Sequence, residues 1–170
     1  LKQMLKLRIL TLTIMNSSEA YQKVWNTHVY GSLRLEIAKS QKVAIMSELE
    51  NRAPGQFEVA LGMCYGNPSM KSALDELEQK GCKKIIVLPL YPQYAASSTG
   101  SVFDAVAKEL LTWRNVPDLR FIRNYSEEEK YIDALANSVK KYQKQYGKPD
   151  LLLMSYHGIL KSDFVNGDNY

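Results

Sequence analysis

Short apolar runs alternate with longer segments of helical periodicity along most of this 170-residue chain. Two of these runs, Lys84 to Leu90 and Leu151 to Tyr156, contain consecutive apolar positions, a pattern typical of strands that helices cover on both faces of a parallel sheet. Strands that alternate with helices in this way predict an α/β fold built from βαβ units with right-handed crossovers. The four runs that predict strands are Phe57 to Cys64, Lys84 to Leu90, Leu119 to Arg123 and Leu151 to Tyr156.

Start and stop signals mark the helices between these runs. Gly81 predicts the end of one helix, since glycine adopts the backbone conformation that follows a last helical turn. Three signals predict helix starts: Asn67 with Pro68, Ser101 with Asp104, and Ser126 with Glu129. The helix after Ser126 carries an apolar stripe that predicts a side facing the core, formed by Ile132, Leu135, Ala136, Val139, Tyr142 and Tyr146.

The segment before residue 57 predicts helices only. Residues Glu19 to Trp25 and Gln41 to Glu50 have helical patterns. Residues Leu1 to Met15 mix leucines with basic residues and are too short and too charged to span a bilayer. Their amphipathic pattern favours a helix on the protein core, and it also permits a peripheral contact with a membrane surface.

Composition limits the classes of protein that fit. The length predicts a single domain over residues 1–170. The net charge of +4 is mild and has no long Lys/Arg cluster behind it, so no nucleic-acid partner is implied. Cys64 and Cys82 lack metal-site spacing and predict free thiols in a reducing compartment. A first residue other than methionine, and a last residue directly after a polar turn, suggest a fragment of a longer protein.

The loop after the second predicted strand is the strongest candidate binding segment. Residues Leu88 to Tyr94 read Leu-Pro-Leu-Tyr-Pro-Gln-Tyr, and small hydroxyl residues follow before a predicted helix. Ligands of open α/β sheets bind at the carboxyl ends of strands, which is where this loop lies. Tyrosines suit a flat aromatic ligand, and free N–H groups with hydroxyls at a helix start suit an anion. The candidate residues are Tyr91, Tyr94, Ser97, Ser98, Thr99 and Ser101, with Tyr65 at the neighbouring strand end.

The fourth predicted strand leads into Ser155-Tyr156-His157-Gly158. An imidazole at this edge can ligate a divalent metal or accept a proton near neutral pH. Position alone equally permits a histidine that only hydrogen-bonds the local backbone. The other histidine, His28, lies in a polar segment and predicts a surface position. The sequence contains no GxGxxG motif after a strand, no P-loop, no GxSxG elbow and no zinc-ligand spacing.

Taken together, these segments resemble ferrochelatases. The resemblance rests on Leu88 to Tyr94 with Thr99-Gly-Ser101, and on Pro149 to Ile159 (Pro-Asp-Leu-Leu-Leu-Met-Ser-Tyr-His-Gly-Ile). Residues Ala20 to Trp25 and Leu61 to Ser69 are also similar, especially to the bacterial branch. The similarity runs from about Ala20 to Tyr170.

The resemblance implies the chelatase fold, in which two similar Rossmann-like α/β domains enclose a porphyrin cleft. This chain would then cover mainly one of them, without its first strand. It also implies insertion of Fe²⁺ into protoporphyrin IX in the cytoplasm, with the iron as substrate and no required cofactor. His157 matches the family's active-site histidine, as metal ligand or proton acceptor, and the Tyr91 to Ser101 segment borders the cleft. The presence of an iron–sulfur cluster and the oligomeric state stay open.

Departures from the family pattern keep alternatives open. Leu160 and Ser162 stand where the family usually has Pro and Arg, and the usual Asn-Leu-Gly-Thr-Pro opening is absent. One alternative is a non-catalytic remnant that at most binds a tetrapyrrole. Another is a chelatase for a different tetrapyrrole or metal. The third is a general α/β module that binds a phosphate ligand.

Overall fold

A computed structural model of the chain describes residues 32–168. The helices expected over residues 1–15 and 19–25, and His28, lie outside the described residues. The chain divides into two compact units, Leu1–Leu61 and Gly62–Tyr170, which are described separately. The single domain expected over residues 1–170 stays a prediction.

The first unit contributes one long helix to the described residues, α1 (Leu33–Arg52). It extends the helix expected over residues 41–50 in both directions. Ion pairs one turn apart run along it, including Lys39 to Glu36 at 2.8 Å. Ala38 is the one residue of the helix that is buried. Helix α1 is therefore largely solvent-exposed in the part of the chain described, and exposed ion pairs of this kind contribute little to its stability.

The strand expected over residues 57–64 does not form. Met63 makes a single bridge with Ser69, and its N–H donates to the Pro68 carbonyl at 2.8 Å. An extended segment needs a continuous neighbouring strand to satisfy its backbone groups, and the described residues provide none here. The apolar run instead forms the approach to the next helix.

The second unit begins with α2 (Met70–Gln79). The helix starts two residues later than Asn67 and Pro68 predict. Ser69 is the N-cap, and its side chain accepts a hydrogen bond from the Ser72 N–H at 3.1 Å. The Pro68 carbonyl is occupied by Met63, so the chain is still in a loop at that point. At the other end Gly81 has φ +74° and ends the helix as predicted.

A βαβ unit follows and forms the centre of this unit. It consists of β1 (Lys84–Val87), a π-turn (Ala96–Gly100), α3 (Ser101–Leu110) and β2 (Asp118–Phe121). The two strands pair in parallel, with Ile85 opposite Leu119 and Val87 opposite Phe121. The chain is therefore an α/β protein with a parallel sheet, and the strands expected at 84–90 and 119–123 are confirmed in shortened form.

The core lies on one face of this sheet. Buried side chains from α2, β1 and α3 form one cluster, and the edge of the cluster includes Leu119 and Phe121 of β2. Ile86 points away from this face and is exposed. The expectation that β1 is buried on both faces was wrong for the described residues, because α2 and α3 both pack on the same side. The buried cluster is Leu74, Ile85, Val102, Val106 and Leu110.

Most residues in the remaining part of the second unit are exposed. Helix α4 (Glu129–Tyr146) contains no buried residue, and four of the six residues in its apolar stripe are exposed: Ile132, Leu135, Tyr142 and Tyr146. Residues 151–156 form no strand, and Leu153 is 84 % exposed. Both expectations were wrong for the same reason: no element in the described residues covers these apolar groups. The short helix α5 (Lys161–Val165) ends the described chain.

Neither expected capping box forms. Ser101 is already helical, since the π-turn leads directly into α3, and its hydroxyl donates to the Ala96 carbonyl at 3.2 Å. Ser126 is held by Asn124 instead, whose side-chain oxygen accepts from both the N–H and the hydroxyl of Ser126 at 2.9 Å. Local side-chain hydrogen bonds of this kind compete with capping.

Candidate functional site

The loop from β1 to α3 carries most of the predicted site residues and is well packed at its far end. The Gly100 N–H donates to the Ala95 carbonyl at 3.0 Å and closes the π-turn. Thr99 is 0 % exposed, and its hydroxyl lies 3.5 Å from the Gln93 carbonyl. A π-turn at the start of a helix is uncommon and frequently marks a functional site.

The serine hydroxyls of this loop differ in exposure. Ser97 is exposed, whereas Ser98 and Ser101 are half-buried. The Ser98 hydroxyl donates to the Ala95 carbonyl at 3.3 Å, and that of Ser101 donates to Ala96. Each of these hydroxyls still has acceptor capacity. Ser97 is therefore the hydroxyl of the three most open to a ligand.

The two loop tyrosines also differ. Tyr91 is exposed, while Tyr94 is half-buried beneath a cation. The guanidinium carbon of Arg123 lies 4.0 Å from the centre of the Tyr94 ring, within cation–π distance. One face of Tyr94 is thus occupied by Arg123, so any stacking on a flat ligand would use the other face or the edge.

Arg123 is a candidate residue that sequence reasoning missed. It follows β2 by two residues, and the Tyr125 N–H donates to the Pro92 carbonyl at 3.0 Å, which joins the loops after the two strands. Among the described residues, the exposed Arg123 forms no ion pair with a carboxylate. The available signal was a lone cation directly after a strand that ends at the ligand edge.

Tyr65 lies in the turn before α2 and is 88 % exposed. The neighbouring Cys64 is half-buried at the margin of the core cluster, and burial raises the pKa of its thiol above the ordinary value. The thiol is therefore held in its neutral form, as expected of a free cysteine that packs as a small apolar group.

His157 is exposed and has one hydrogen bond within the described residues. Its Nδ1 lies 2.7 Å from the Gly158 carbonyl. A carbonyl only accepts, so this contact is a hydrogen bond in which Nδ1 is the donor. This local bond is the one that the simpler interpretation expected. Within the described residues, Nε2 has no hydrogen-bond partner.

The loop start is occupied by the chain's own carboxylate. Both oxygens of Asp168 lie 3.0 Å from the Ala96 nitrogen. The sequence predicts that N–H groups of this loop bind an anion; at Ala96 that anion is a carboxylate of the chain itself, so this N–H is not available to a ligand. Asp168 is the second residue that sequence reasoning missed, and no local signal could have found a contact between positions so far apart in the chain.

The structure joins part of the predicted site. Tyr94, Ser98 and Thr99 belong to one packed loop, Ser101 begins helix α3 directly after it, and Asp168 ties the segment beyond His157 to this loop. In residues 32–168, no hydrogen bond or ring contact links that loop to Tyr65 or His157. The roles of these residues stay predictions.

Two further features bear on partners. Within the described residues, no group of three or more His, Cys, Asp or Glu side chains is arranged to hold a metal ion. None of the helices described is both long and apolar enough to cross a membrane.

Comparison with known proteins gives a consistent result. The family model for ferrochelatase matches residues 1–170. The chain is 50 % identical over 169 residues to the ferrochelatase of Hydrogenovibrio crunogenus, covering 99 % of this chain and 45 % of that protein. It is 43 % identical over 162 residues to the ferrochelatase of Thioalkalivibrio sulfidiphilus, covering 95 % and 43 %.

A third relative, the ferrochelatase of Photobacterium profundum, is 46 % identical over 153 residues, which cover 90 % of this chain and 45 % of the relative. The chain thus spans less than half the length of each of these relatives. The match of the family model nevertheless extends over all 170 residues. The chain belongs to the ferrochelatase family.

Proposed function

We propose that this chain forms part of an enzyme that inserts Fe²⁺ into protoporphyrin IX and releases protoheme and two protons. The exposed imidazole of His157, with its Nδ1 beside the Gly158 carbonyl, is the observation that carries the proposal. Its Nδ1 lies 2.7 Å from the Gly158 carbonyl, and Nε2 has no hydrogen-bond partner among the described residues, so Nε2 is the ring nitrogen that we propose acts as the base. Metal insertion needs such a base, because two pyrrole N–H protons must leave as the metal enters.

The loop residues suit the porphyrin. Tyr91 and Tyr65 offer exposed aromatic surface for the macrocycle. Ser97 offers a hydroxyl, and the Arg123 guanidinium offers positive charge to the propionates. Ser98, Thr99 and Ser101 stiffen the loop, which suits a wall that holds a bent macrocycle.

The chemistry requires no resident cofactor in this proposal. Iron enters as Fe²⁺ and stays Fe²⁺, so the reaction transfers no electrons, and the metal is a substrate. The proposed partners are protoporphyrin IX and Fe²⁺, with no nucleic acid. A bacterial enzyme of this kind would act in the cytoplasm, with a peripheral membrane contact that gives access to a hydrophobic substrate.

Anaerobic titration of the chain with protoporphyrin IX and Fe²⁺, with Zn²⁺ as a tractable surrogate, tests the proposal through absorbance and fluorescence. Metallation above the uncatalysed rate would mean that this chain carries a working site. Binding without metallation would support a chain that binds the tetrapyrrole and needs further groups for turnover. Absence of porphyrin binding would refute the proposal for this chain.

The role of His157 has its own test. His157→Ala in a full-length homologous enzyme is expected to abolish metallation and leave porphyrin affinity within about twofold. His28→Ala is the matched control, since the sequence predicts a surface position for it. Unchanged turnover of His157→Ala would refute the role of base or metal ligand.

A further inference from the structure

Asp168 makes the longest-range side-chain hydrogen bond in the candidate site. Its carboxylate is 72 residues from Ala96 in sequence, and the residue is only 7 % exposed. Both oxygens lie 3.0 Å from the one N–H of Ala96, so the proton is shared between them. A buried carboxylate is costly unless it is hydrogen-bonded, so this contact is a specific one.

The Asp168 carboxylate is hydrogen-bonded by a backbone N–H and is not paired with a side-chain cation. Among residues 32–168, Asp168 takes part in no salt bridge. Ala96 is the first residue of the π-turn, which continues into α3. Negative charge at that end complements the unpaired N–H groups and the dipole of the helical turns that follow.

The carboxylate is delivered by a short ordered segment. Helix α5 begins four residues after His157, and the Asp168 N–H donates back to the Asp163 carbonyl at 3.0 Å. Gly167, with φ +106°, makes the turn that brings Asp168 round. The contact therefore joins the segment that follows His157 to the loop that carries Tyr94, Ser97 and Ser98.

We propose that Asp168 is a positioning residue for porphyrin binding. Its carboxylate fixes the start of the π-turn and aligns that loop with the segment bearing His157. The inference rests on the proposed function, because alignment matters only if both segments meet one ligand. The inference predicts that Asp168 affects porphyrin affinity although its carboxylate accepts the Ala96 N–H and does not touch the ligand.

The test uses the full 170-residue chain and two readouts. Amide hydrogen exchange at Ala96, followed by NMR, reports the contact itself, and fluorescence titration with protoporphyrin IX reports binding. Asp168→Ala is expected to speed exchange at Ala96 roughly tenfold, as for loss of one hydrogen bond to a charged group. It is expected to weaken porphyrin binding by about three- to tenfold.

Three further variants separate positioning from general damage. Asp168→Asn keeps an acceptor oxygen and is expected to restore binding to within about twofold of the unaltered chain. Ala96→Pro removes the N–H from the other side, at a first-turn position that proline tolerates after the extended Ala95. Asp150→Ala is the matched control, an exposed aspartate in the same unit.

The outcomes are distinct. If Ala96→Pro weakens binding and the double variant with Asp168→Ala is no weaker than the worse single variant, the two residues act through one contact. Unchanged exchange at Ala96 in Asp168→Ala, or faster exchange with unchanged affinity, would overturn the inference. If Asp168→Ala does not fold, unchanged affinity in Ala96→Pro would overturn it instead. If the unaltered chain binds no porphyrin, the proposed function fails and this inference fails with it.

Discussion

Residues 62–121 and residues 129–160 have similar apolar patterns but very different surroundings. In the first region, α2 and α3 bury one face of a parallel sheet, and every side chain of the central cluster is almost fully enclosed. In the second, α4 contains no buried residue, and every residue of the apolar run 151–156 is exposed. A similar apolar pattern can therefore be buried or exposed, and the outcome depends on whether other helices and strands pack against it.

The comparison also divides the candidate site. The loop that carries Tyr94 and Thr99 belongs to the packed region and has defined hydrogen bonds and a cation–π contact. His157 belongs to the exposed region, where one local hydrogen bond orients its ring. The loop wall is thus the firm part of the site, and Asp168 is the side chain that connects it to the other part.

The strongest test of the comparison substitutes two leucines in the same way. Leu74 is 3 % exposed in the core cluster, and Leu74→Ala is expected to lower the free energy of unfolding by about 2–5 kcal/mol through lost burial and a cavity. Leu153 is 84 % exposed, so Leu153→Ala is expected to change the free energy of unfolding by less than about 0.5 kcal/mol. Urea unfolding of the two variants measures both values. Equal losses would mean that the 151–156 run is packed in solution, and the contrast would fail.

A smaller effect is expected within the loop. Thr99→Val keeps the volume of a fully enclosed side chain but removes the hydroxyl near the Gln93 carbonyl, which should cost about 1 kcal/mol. Ser97→Ala is the control, because Ser97 is exposed and should change stability by less than about 0.5 kcal/mol. Thermal unfolding followed by circular dichroism compares them. Identical midpoints would show that the Thr99 hydroxyl adds nothing to the packed loop.

The contact between Arg123 and Tyr94 should contribute less still. Arg123→Gln removes the cation from the Tyr94 ring and is expected to cost about 0.5–1 kcal/mol. Arg123→Lys should recover part of this loss, and Arg114→Gln, at another exposed arginine, is the control. Chemical unfolding measures the differences. A loss as large in Arg114→Gln would assign the effect to net charge and not to the ring contact.

Cys64 gives the smallest effect, which depends on pH. Burial raises the pKa of its thiol, so the folded chain keeps this proton at a pH where the unfolded chain has lost it. The contribution to stability is fully present below the ordinary thiol pKa and declines as the pH rises above it. Alkylation by iodoacetamide in a Cys82→Ser background should show a higher midpoint pH in the folded than in the unfolded chain. Coincident midpoints would place Cys64 outside the packed region.

Sequence reasoning succeeded where the deciding interactions are local. The apolar runs of β1 and β2 and the glycine that ends α2 have short-range signals, and the structure confirms them. It failed where a third partner decides: the 151–156 run and the α4 stripe have the right pattern but no neighbour among the described residues. Residue similarity identified the family without depending on either outcome.

The site shows the same division. Tyr94, Ser98 and Ser101 could be found because they surround the end of one apolar run. The bond between Asp168 and Ala96 could not, since hydrogen-bond geometry across 72 residues leaves no periodicity in a sequence. Arg123 lies between these two cases. Its position after β2 can be read from the sequence, whereas its contact with the Tyr94 ring is seen only in the structure.

The location of the core early in the second unit has a consequence for biosynthesis. Every member of the buried cluster lies between Leu74 and Leu110, and both strands of the sheet seen in the described residues are present once Phe121 has been added. Translation takes roughly 1.5–6 s to add the residues from Ile122 to Leu151, whereas small mixed α/β units fold in roughly milliseconds to a second. The sheet and the helices that pack on it can therefore fold before the exposed leucines at 151–153 leave the ribosome. These leucines then do not compete with core residues for packing while the core forms.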